Sequence, residues 1–259
     1  MSRCGEANPV EDAEMIKAED AGGPFRLPVG RSGEIWWMLP SGLETPARNM
    51  AVDEALLESV AGLGAPVLRT YAWTEPAATF GYFQRHAEVA DWTPLRPLIR
   101  RPTGGGVVPH DADWTYSVAV PPGHPWYELS AVESYQRVHQ WLQAAFGVVG
   151  LGTELAPCCD PQGPGRCFIG AERFDLLHQG RKLAGAAQRR NRMGLLIQGS
   201  VQPAPRGIDR AAWESALGTV ASESSGIRWE PLPRNEAFQR RVDALVSEKY
   251  GSSAYLAKR

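Results

Sequence analysis

Two segments carry residues able to do chemistry. The first runs Cys167-Phe168-Ile169-Gly170-Ala171-Glu172-Arg173-Phe174-Asp175-Leu176-Leu177-His178-Gln179-Gly180-Arg181-Lys182-Leu183-Ala184-Gly185-Ala186-Ala187-Gln188. Its pattern predicts a β-hairpin with strands over 174–177 and 182–188 and a turn at His178-Gln179-Gly180. Alternation along the return strand places Lys182, Ala184, Ala186 and Gln188 on one face, a small-residue surface against which a bulky ligand can lie. A free thiol with a pKa of ~8.5 is only a few per cent thiolate at neutral pH, and an adjacent lysine ammonium raises that fraction. Cys167 and Lys182 as a pair would suit taking an acyl group from a thioester and passing it on. Singly, each has a plainer reading: Lys182 as a solvated strand lysine and Cys167 as a small buried hydrophobe.

The second segment is Arg100-Arg101-Pro102-Thr103-Gly104-Gly105-Gly106-Val107-Val108-Pro109-His110-Asp111. Three glycines let a ligand approach the backbone, and their N–H groups can converge on an anionic or carbonyl oxygen. The two arginines before them bring charge to where a phosphate or carboxylate would sit. A glycine triplet on its own reads equally as a flexible hairpin turn. The segment is neither a P-loop nor a dinucleotide-binding G-x-G-x-x-G, since no Gly-Lys-Ser/Thr ending and no helical pattern follow. His110 and Asp111 invite an acid–base reading, but without a partner in view His110 reads better as a hydrogen-bonding support of the loop.

The elements that must position these segments are an α+β set. Helices are predicted after Thr45-Pro46, from Ser130 (with Glu133 completing a capping box) to Gly147, and over 235–250. On the second helix Tyr135, Val138, Leu142, Ala145 and Phe146 share a face. Strands are predicted at 34–39, 67–73, 78–84, 97–101, 115–121 and 195–201 as well as in the hairpin. Strands in consecutive runs argue for a mixed, largely antiparallel sheet flanked by helices. Residues 203–234 read as an irregular connection with a short helix near 211–217. Residues 1–32, with Glu6, Glu11, Asp12, Glu14, Glu19 and Asp20, read as a disordered tail before a single catalytic domain over 33–259.

Composition narrows the function classes. The chain has 259 residues, 43% of them hydrophobic, with nine Trp, seven Tyr and seven Phe, which supports one sizeable core. A formal net charge of -2 offers no basic excess for nucleic acid. No apolar run is long enough for a membrane helix, and no secretory signal is visible. Cys4, Cys158, Cys159 and Cys167 are too few and too clustered for a disulfide framework, which points to a cytoplasmic protein with reduced thiols. Cys158, Cys159, Cys167 and His178 lack the C-x-x-C spacing of a zinc set, so no metal is expected.

Several segments, in order, carry a resemblance. They are Asn49-Met50-Ala51-Val52-Asp53-Glu54-Ala55-Leu56, Leu68-Arg69-Thr70-Tyr71-Ala72-Trp73, Thr79-Phe80-Gly81-Tyr82-Phe83-Gln84, the arginine–glycine loop, the Lys182 strand and Gln198-Gly199-Ser200. Over about residues 34–202 the chain resembles the lipoate-protein ligase and octanoyltransferase family, whose catalytic fold is shared with biotin ligases. The resemblance implies that Arg69, Arg101, the loop of Gly104, Gly105 and Gly106, His110, Gly185 and Ala187 line the acyl site, and that Lys182 contacts the acyl carbonyl. It implies a lysine acceptor on a lipoyl domain or on the glycine cleavage H protein. Ligases of the family activate free lipoate with ATP and magnesium, whereas transferases take octanoyl from acyl carrier protein through an acyl-cysteine and need no cofactor. Cys167-Phe168 resembles the nucleophile loop of the cysteine-dependent octanoyltransferases, and the residues after Val201 look too few for the accessory domain of many ligases. Gly106 looks more ligase-like, and Pro109 is unusual in the motif. The transferase is the leading expectation, with an ATP-dependent lipoate-protein ligase acting through lipoyl-adenylate as the alternative.

Overall fold

The computed structural model describes residues 25–158, 170–233 and 235–258, with only the backbone of Ser41. Eleven strands are present among the described residues: β1 Ile35–Glu44, β2 Val67–Trp73, β3 Ala77–Phe80, β4 Leu98–Arg100, β5 Val108–His110, β6 Trp114–Val120, β7 Glu154–Leu155, β8 Leu176–His178, β9 Arg181–Asn191, β10 Gly194–Val201 and β11 Arg228–Pro231. Eight form one sheet in the order β11-β1-β2-β6-β10-β9-β8-β7, and β4-β3-β5 form a small second sheet. β1 is parallel to both β11 and β2, while β2, β6, β10, β9, β8 and β7 are joined antiparallel in that order. The mixed, largely antiparallel sheet expected from the runs of strands is therefore present.

Helices cover both faces of the large sheet. Helix α1, Pro46–Leu63, is started by Thr45, whose side chain accepts from the Arg48 N–H, and is ended by Gly64 in the left-handed conformation. Helix α2, Ala131–Val148, has the capping box of Ser130 and Glu133. Helix α3, Arg210–Ser225, is capped by Asp209, and α4, Glu236–Leu245, by Asn235. A last helix, α5, spans Ser253–Ala257. Val138, Trp141, Leu142 and Phe146 of α2 and Trp213 and Leu217 of α3 bury against Leu68, Val118, Leu195 and Ile197 on one sheet face. Met50, Leu56 and Val60 of α1 and Val242 and Leu245 of α4 bury against Val67, Tyr71 and Ala119 on the other.

Two sequence expectations change here. The connection over 203–234 contains α3, sixteen residues long, where a short helix was expected. Its Ala- and Ser-rich sequence shows only a faint apolar stripe, and the helix is secured by fully buried Trp213 and by Trp141, whose indole donates to the Leu217 carbonyl at 2.9 Å. The tail also ends earlier than residue 32. Leu27 is buried in the core, and its N–H donates to the Ser225 hydroxyl at 2.7 Å. The tail's earlier residues, up to 24, lie outside the described residues.

Between α1 and the sheet lies a buried carboxylate. Asp53 accepts from Arg69 (2.6 Å), Tyr71 (3.0 Å), Ser117 (2.7 Å) and Gln198 (2.7 Å), which come from β2, β6 and β10. Arg69 is itself fully buried and also donates to the backbone and side-chain oxygens of Asn49. Removing one partner of such a pair strands the other charge in a low-dielectric interior. Arg69→Met is expected to destabilise the protein by about 3 kcal/mol or more, read as a lowered urea midpoint at unchanged m-value.

Candidate functional site

The strand register fixes which residues share the site. Two cross-strand rows run over β2, β6, β10 and β9: Arg69, Ser117, Gln198 and Ala187, and beside it Tyr71, Thr115, Ser200 and Gly185. Each row is polar in the middle and ends in a small residue on β9. Asp53 takes up the donors of the first row. In the second row Tyr71 also donates to Asp53, while Asp113 accepts from Thr115 (3.0 Å) and Ser200 (2.7 Å) and pairs with His110 Nδ1 at 2.8 Å. Gly185 and Ala187 therefore form the small-residue end of a surface whose polar groups are already satisfied.

Lys182 reaches this surface because of a bulge. The hairpin turns at Gln179 and Gly180, both with positive φ, as in a two-residue type I′ turn. Pairing then jumps from Leu177↔Lys182 to Leu176↔Ala184, which leaves Leu183 as an extra residue. The alternation is re-phased, so Lys182 points with Gly185 and not with Ala184. A Cβ at Gly185 would lie 2.9 Å from Lys182 Cε and 3.1 Å from Nζ. This corrects the expected face of Lys182, Ala184, Ala186 and Gln188. Ala184 is buried in the core, and Gln188 donates to the Ala131 carbonyl of α2 at 2.6 Å.

The Lys182 ammonium lies 2.7 Å from Asp175 Oδ2, and the carboxylate is fully buried. Asp175 also accepts from the Glu172 N–H at 2.6 Å and from the Tyr135 hydroxyl. Burial, and then the Asp175 charge, push the Tyr135 phenol well above the usual range, so it stays protonated. His139, one turn further along α2, is packed 4.3 Å from the Tyr135 ring, and its Nδ1 pairs with the Tyr135 carbonyl at 2.9 Å. Burial lowers His139 to about 4, which leaves a neutral ring with Nε2 lacking a partner among the described residues.

The glycine loop is built from both sides. Tyr82 N–H donates to the Thr103 carbonyl at 2.8 Å, and the Thr103 hydroxyl donates to Gln198 at 2.7 Å, which ties the loop to the Asp53 network. A Cβ at Gly81 would stand 1.9 Å from the Gly105 carbonyl oxygen, so only glycine allows the two backbones this approach. Gly104 and Gly106 are half-buried, and Gly105 is exposed with φ 86°. Arg101 donates to the Gly104 carbonyl and to Thr79 (3.4 Å). Arg100 is buried, donating to the carbonyls of Tyr82 (2.7 Å) and Gln84 (2.6 Å) and to those of Leu256 and Lys258. The charge expected beside the loop is present, with Arg101 on a loop carbonyl and Arg100 on carbonyls outside it. Arg189, on the Ala187 face, stacks over the Tyr82 ring at 5.1 Å and donates to the Pro102 carbonyl at 3.3 Å.

His110 has a triad-like arrangement, with Thr79 Oγ1 2.9 Å from Nε2 and Asp113 2.8 Å from Nδ1. Thr79 is only 2% exposed, and the trio braces β3 and β5. Trp73 stacks on the His110 ring at 4.0 Å. The carboxylate beside His110 is Asp113 and not the exposed Asp111. Burial would raise Asp113, but the charge and hydrogen bond of His110, with the hydrogen bonds of Ser200 and Thr115, outweigh it and hold the carboxyl below its ordinary value.

Lys182, Gly185 and Ala187 thus lie along β9, and the glycine segment is tied to the strand's neighbourhood through Thr103–Gln198 and Arg189–Pro102. Arg69 and His110 are buried one layer behind, bracing the rows. Cys159 and Cys167 lie outside the described residues, whereas Cys158 is exposed as a free thiol. His178 Nδ1 pairs with the Gly152 carbonyl at 2.8 Å, and no group of three or more His, Cys, Asp or Glu arranged for a metal ion occurs among the described residues. Among them, too, no helix is long and apolar enough to cross a membrane.

Comparison with known proteins identifies the family and the fold. Residues 45–205 match the family described as the lipoyl protein ligase A/B catalytic domain. The chain is 36% identical over 181 residues to the octanoyltransferase LipM of Staphylococcus aureus, covering 65% of this chain and 66% of that one. It is 35% identical over 230 residues to the Moorella thermoacetica protein of the same name, covering 82% of each. The matched region thus spans just under two thirds of the length of some of these relatives. A lipoate-protein ligase A solved with ATP superposes with a TM-score of 0.70 at 18% identity, over 88% of this chain and 99% of that one. A putative lipoate protein ligase from T. acidophilum with bound lipoic acid superposes with a TM-score of 0.69 at 20% identity, over 88% of this chain and 100% of that one.

Two outcomes follow from these contacts. Gly81→Ala forces the Gly105 peptide away and is expected to cost roughly 1–3 kcal/mol in denaturant unfolding. His139 binds its proton less well folded (about 4) than at its ordinary value of 6.5, so the unfolded state takes up more protons in between. Stability should fall by roughly 3 kcal/mol from this group as pH drops from 6.5 to 4. His124, also lowered by burial, adds to the fall in the same direction. His139→Gln should remove its own share when unfolding is measured across that pH range.

Proposed function

The chain belongs to the lipoyl protein ligase A/B catalytic-domain family, and from that membership we propose that it transfers octanoyl from acyl carrier protein, through an acyl-cysteine, to a lysine of a lipoyl domain or of the glycine cleavage H protein. The observation that supports this reading is Lys182, a nearly buried ammonium folded over Gly185 at the small-residue end of cross-strand rows that the glycine loop joins through Thr103 and Gln198. The similarity to proteins named octanoyltransferase supports the choice of acyl group.

In this scheme the Cys167 thiolate attacks the thioester carbonyl. The C–S bond to the carrier breaks, the carrier thiolate leaves and takes a proton from solvent, and an acyl-cysteine remains. The acceptor lysine's neutral amine then attacks that carbonyl, the C–S bond to Cys167 breaks as the amide forms, the amine's extra proton passes to solvent, and the Cys167 thiolate is regenerated. Lys182 donates to the carbonyl oxygen as negative charge develops on it, with the glycine-loop N–H groups as further donors. A thioester is already activated, so the reaction needs neither ATP nor a metal. Gly185 and Ala187 leave room for the eight-carbon chain, and Arg101 shapes the loop. The reduced thiol that this chemistry requires suits the cytoplasm.

Gly106, the third glycine of the loop, favours a second reading as an ATP-dependent lipoate-protein ligase using magnesium and lipoyl-adenylate. The two readings part at Cys167, which only the transferase needs.

Incubation with octanoyl carrier protein is expected to give an octanoyl adduct on Cys167 by intact-mass and peptide analysis. Lys182→Ala should lower kcat roughly 10²–10³-fold. Full transfer by Cys167→Ala would reject the acyl-cysteine route.

A further inference from the structure

Lys182 does not stand alone in its position, and the groups behind it are arranged in one direction. The Ala186 N–H donates to the Tyr135 hydroxyl oxygen at 3.2 Å. The single phenol proton is thereby directed to Asp175 Oδ1. Oδ2 receives the Glu172 N–H at 2.6 Å and the Lys182 ammonium at 2.7 Å. Every one of these partners donates, so Asp175 acts as a carboxylate, and its charge faces Lys182. Among the described residues β8 pairs with β9 no further than Ala184, while β10 lies along the opposite edge, so the Ala186 N–H on the β8 side is an edge group that Tyr135 satisfies. The Tyr135 backbone is fixed within α2, and its carbonyl is held by His139. Asp175 is fixed by its turn, in which its N–H donates to the Glu172 carbonyl at 3.0 Å and Phe174 adopts a left-handed φ of 71°.

We propose that Asp175 and Tyr135 are the positioning residues of Lys182: the phenol orients the carboxylate, and the carboxylate holds the flexible lysine stem folded across Gly185 so that its ammonium meets the acyl carbonyl at one point. The catalytic part of this inference rests on the acyl-transfer reading above. A free lysine side chain samples many rotamers, and misplacing a reacting group by about 1 Å can cost a hundredfold in rate. The clamp removes that freedom without touching substrate. Gly185 belongs to it as the open floor, because a methyl group there would contact Lys182 Cε and Asp175 Oδ1 at 2.9 and 3.0 Å.

The chain has only four lysines, Lys17, Lys182, Lys249 and Lys258, so their modification by a small amine-reactive acetyl ester can be followed site by site by mass spectrometry. This arm needs no substrate. Tyr135→Phe, which keeps every charge, and Asp175→Asn are each expected to raise the labelling rate of Lys182 about threefold or more relative to the exposed Lys258. In octanoyl transfer the same variants should lower kcat by about tenfold to a hundredfold, with KM for the carrier protein within about twofold. Tyr135→Phe keeps the test open if Asp175→Asn does not fold. Unchanged Lys182 labelling in the variants overturns the clamp. Raised labelling with unchanged kcat overturns its catalytic role. Should the native protein transfer no octanoyl, the functional reading fails while the labelling still decides whether the clamp exists.

Discussion

The buried Asp53 carboxylate is the constraint around which the fold is organised. A carboxylate in an apolar interior is costly unless its oxygens are fully engaged and its charge is met. Here Arg69 meets the charge, and Tyr71, Ser117 and Gln198 supply the remaining hydrogen bonds from three adjacent strands. Helix α1, which carries Asp53, cannot slide against the sheet without breaking several of these at once. Gln198 then passes the constraint outward through Thr103 to the glycine loop. A loop of three glycines has little stiffness of its own. Its definition comes from this network and from the close passage of Gly81 beneath Gly105.

The second buried carboxylate, Asp113, does the same for the neighbouring row and for His110, and the third, Asp175, does it for Lys182. The three share a feature: each carboxylate accepts several hydrogen bonds, at least one of them from an element distant in sequence. The polar groups of the inner sheet are thereby occupied before a ligand arrives. Gly185 and Ala187 add no side-chain bulk at the β9 end of the rows, and the Lys182 ammonium is held beside them by Asp175, an arrangement that suits an apolar chain ending in a carbonyl.

Much of this was legible in the sequence, and the parts that were not share physical causes. The helix starts at Thr45 and Ser130 were readable because capping is local. So was the hairpin turn, because Gly180 adopts positive φ without strain. The face of Lys182 was misassigned because a bulge at Leu183 depends on how β8 pairs, which alternation along one strand cannot reveal. Asp111 stood beside His110 in the sequence, but the β5–β6 turn carries it outward and brings Asp113 back. Asp175 and Tyr135 looked like a strand residue and a core aromatic, and only tertiary packing joins them to Lys182. Helix α3 was underestimated because tertiary burial of Trp213, not a strong apolar stripe, secures it.

The central claim is that this site moves an already activated octanoyl group. Its most direct test is formation of octanoyl-lysine on a lipoyl domain, measured by intact mass with two donors in parallel: octanoyl carrier protein without nucleotide, and free octanoate with ATP and magnesium. The account predicts rapid product from the thioester alone and little from the free acid. Product formed only from the free acid with ATP would contradict it.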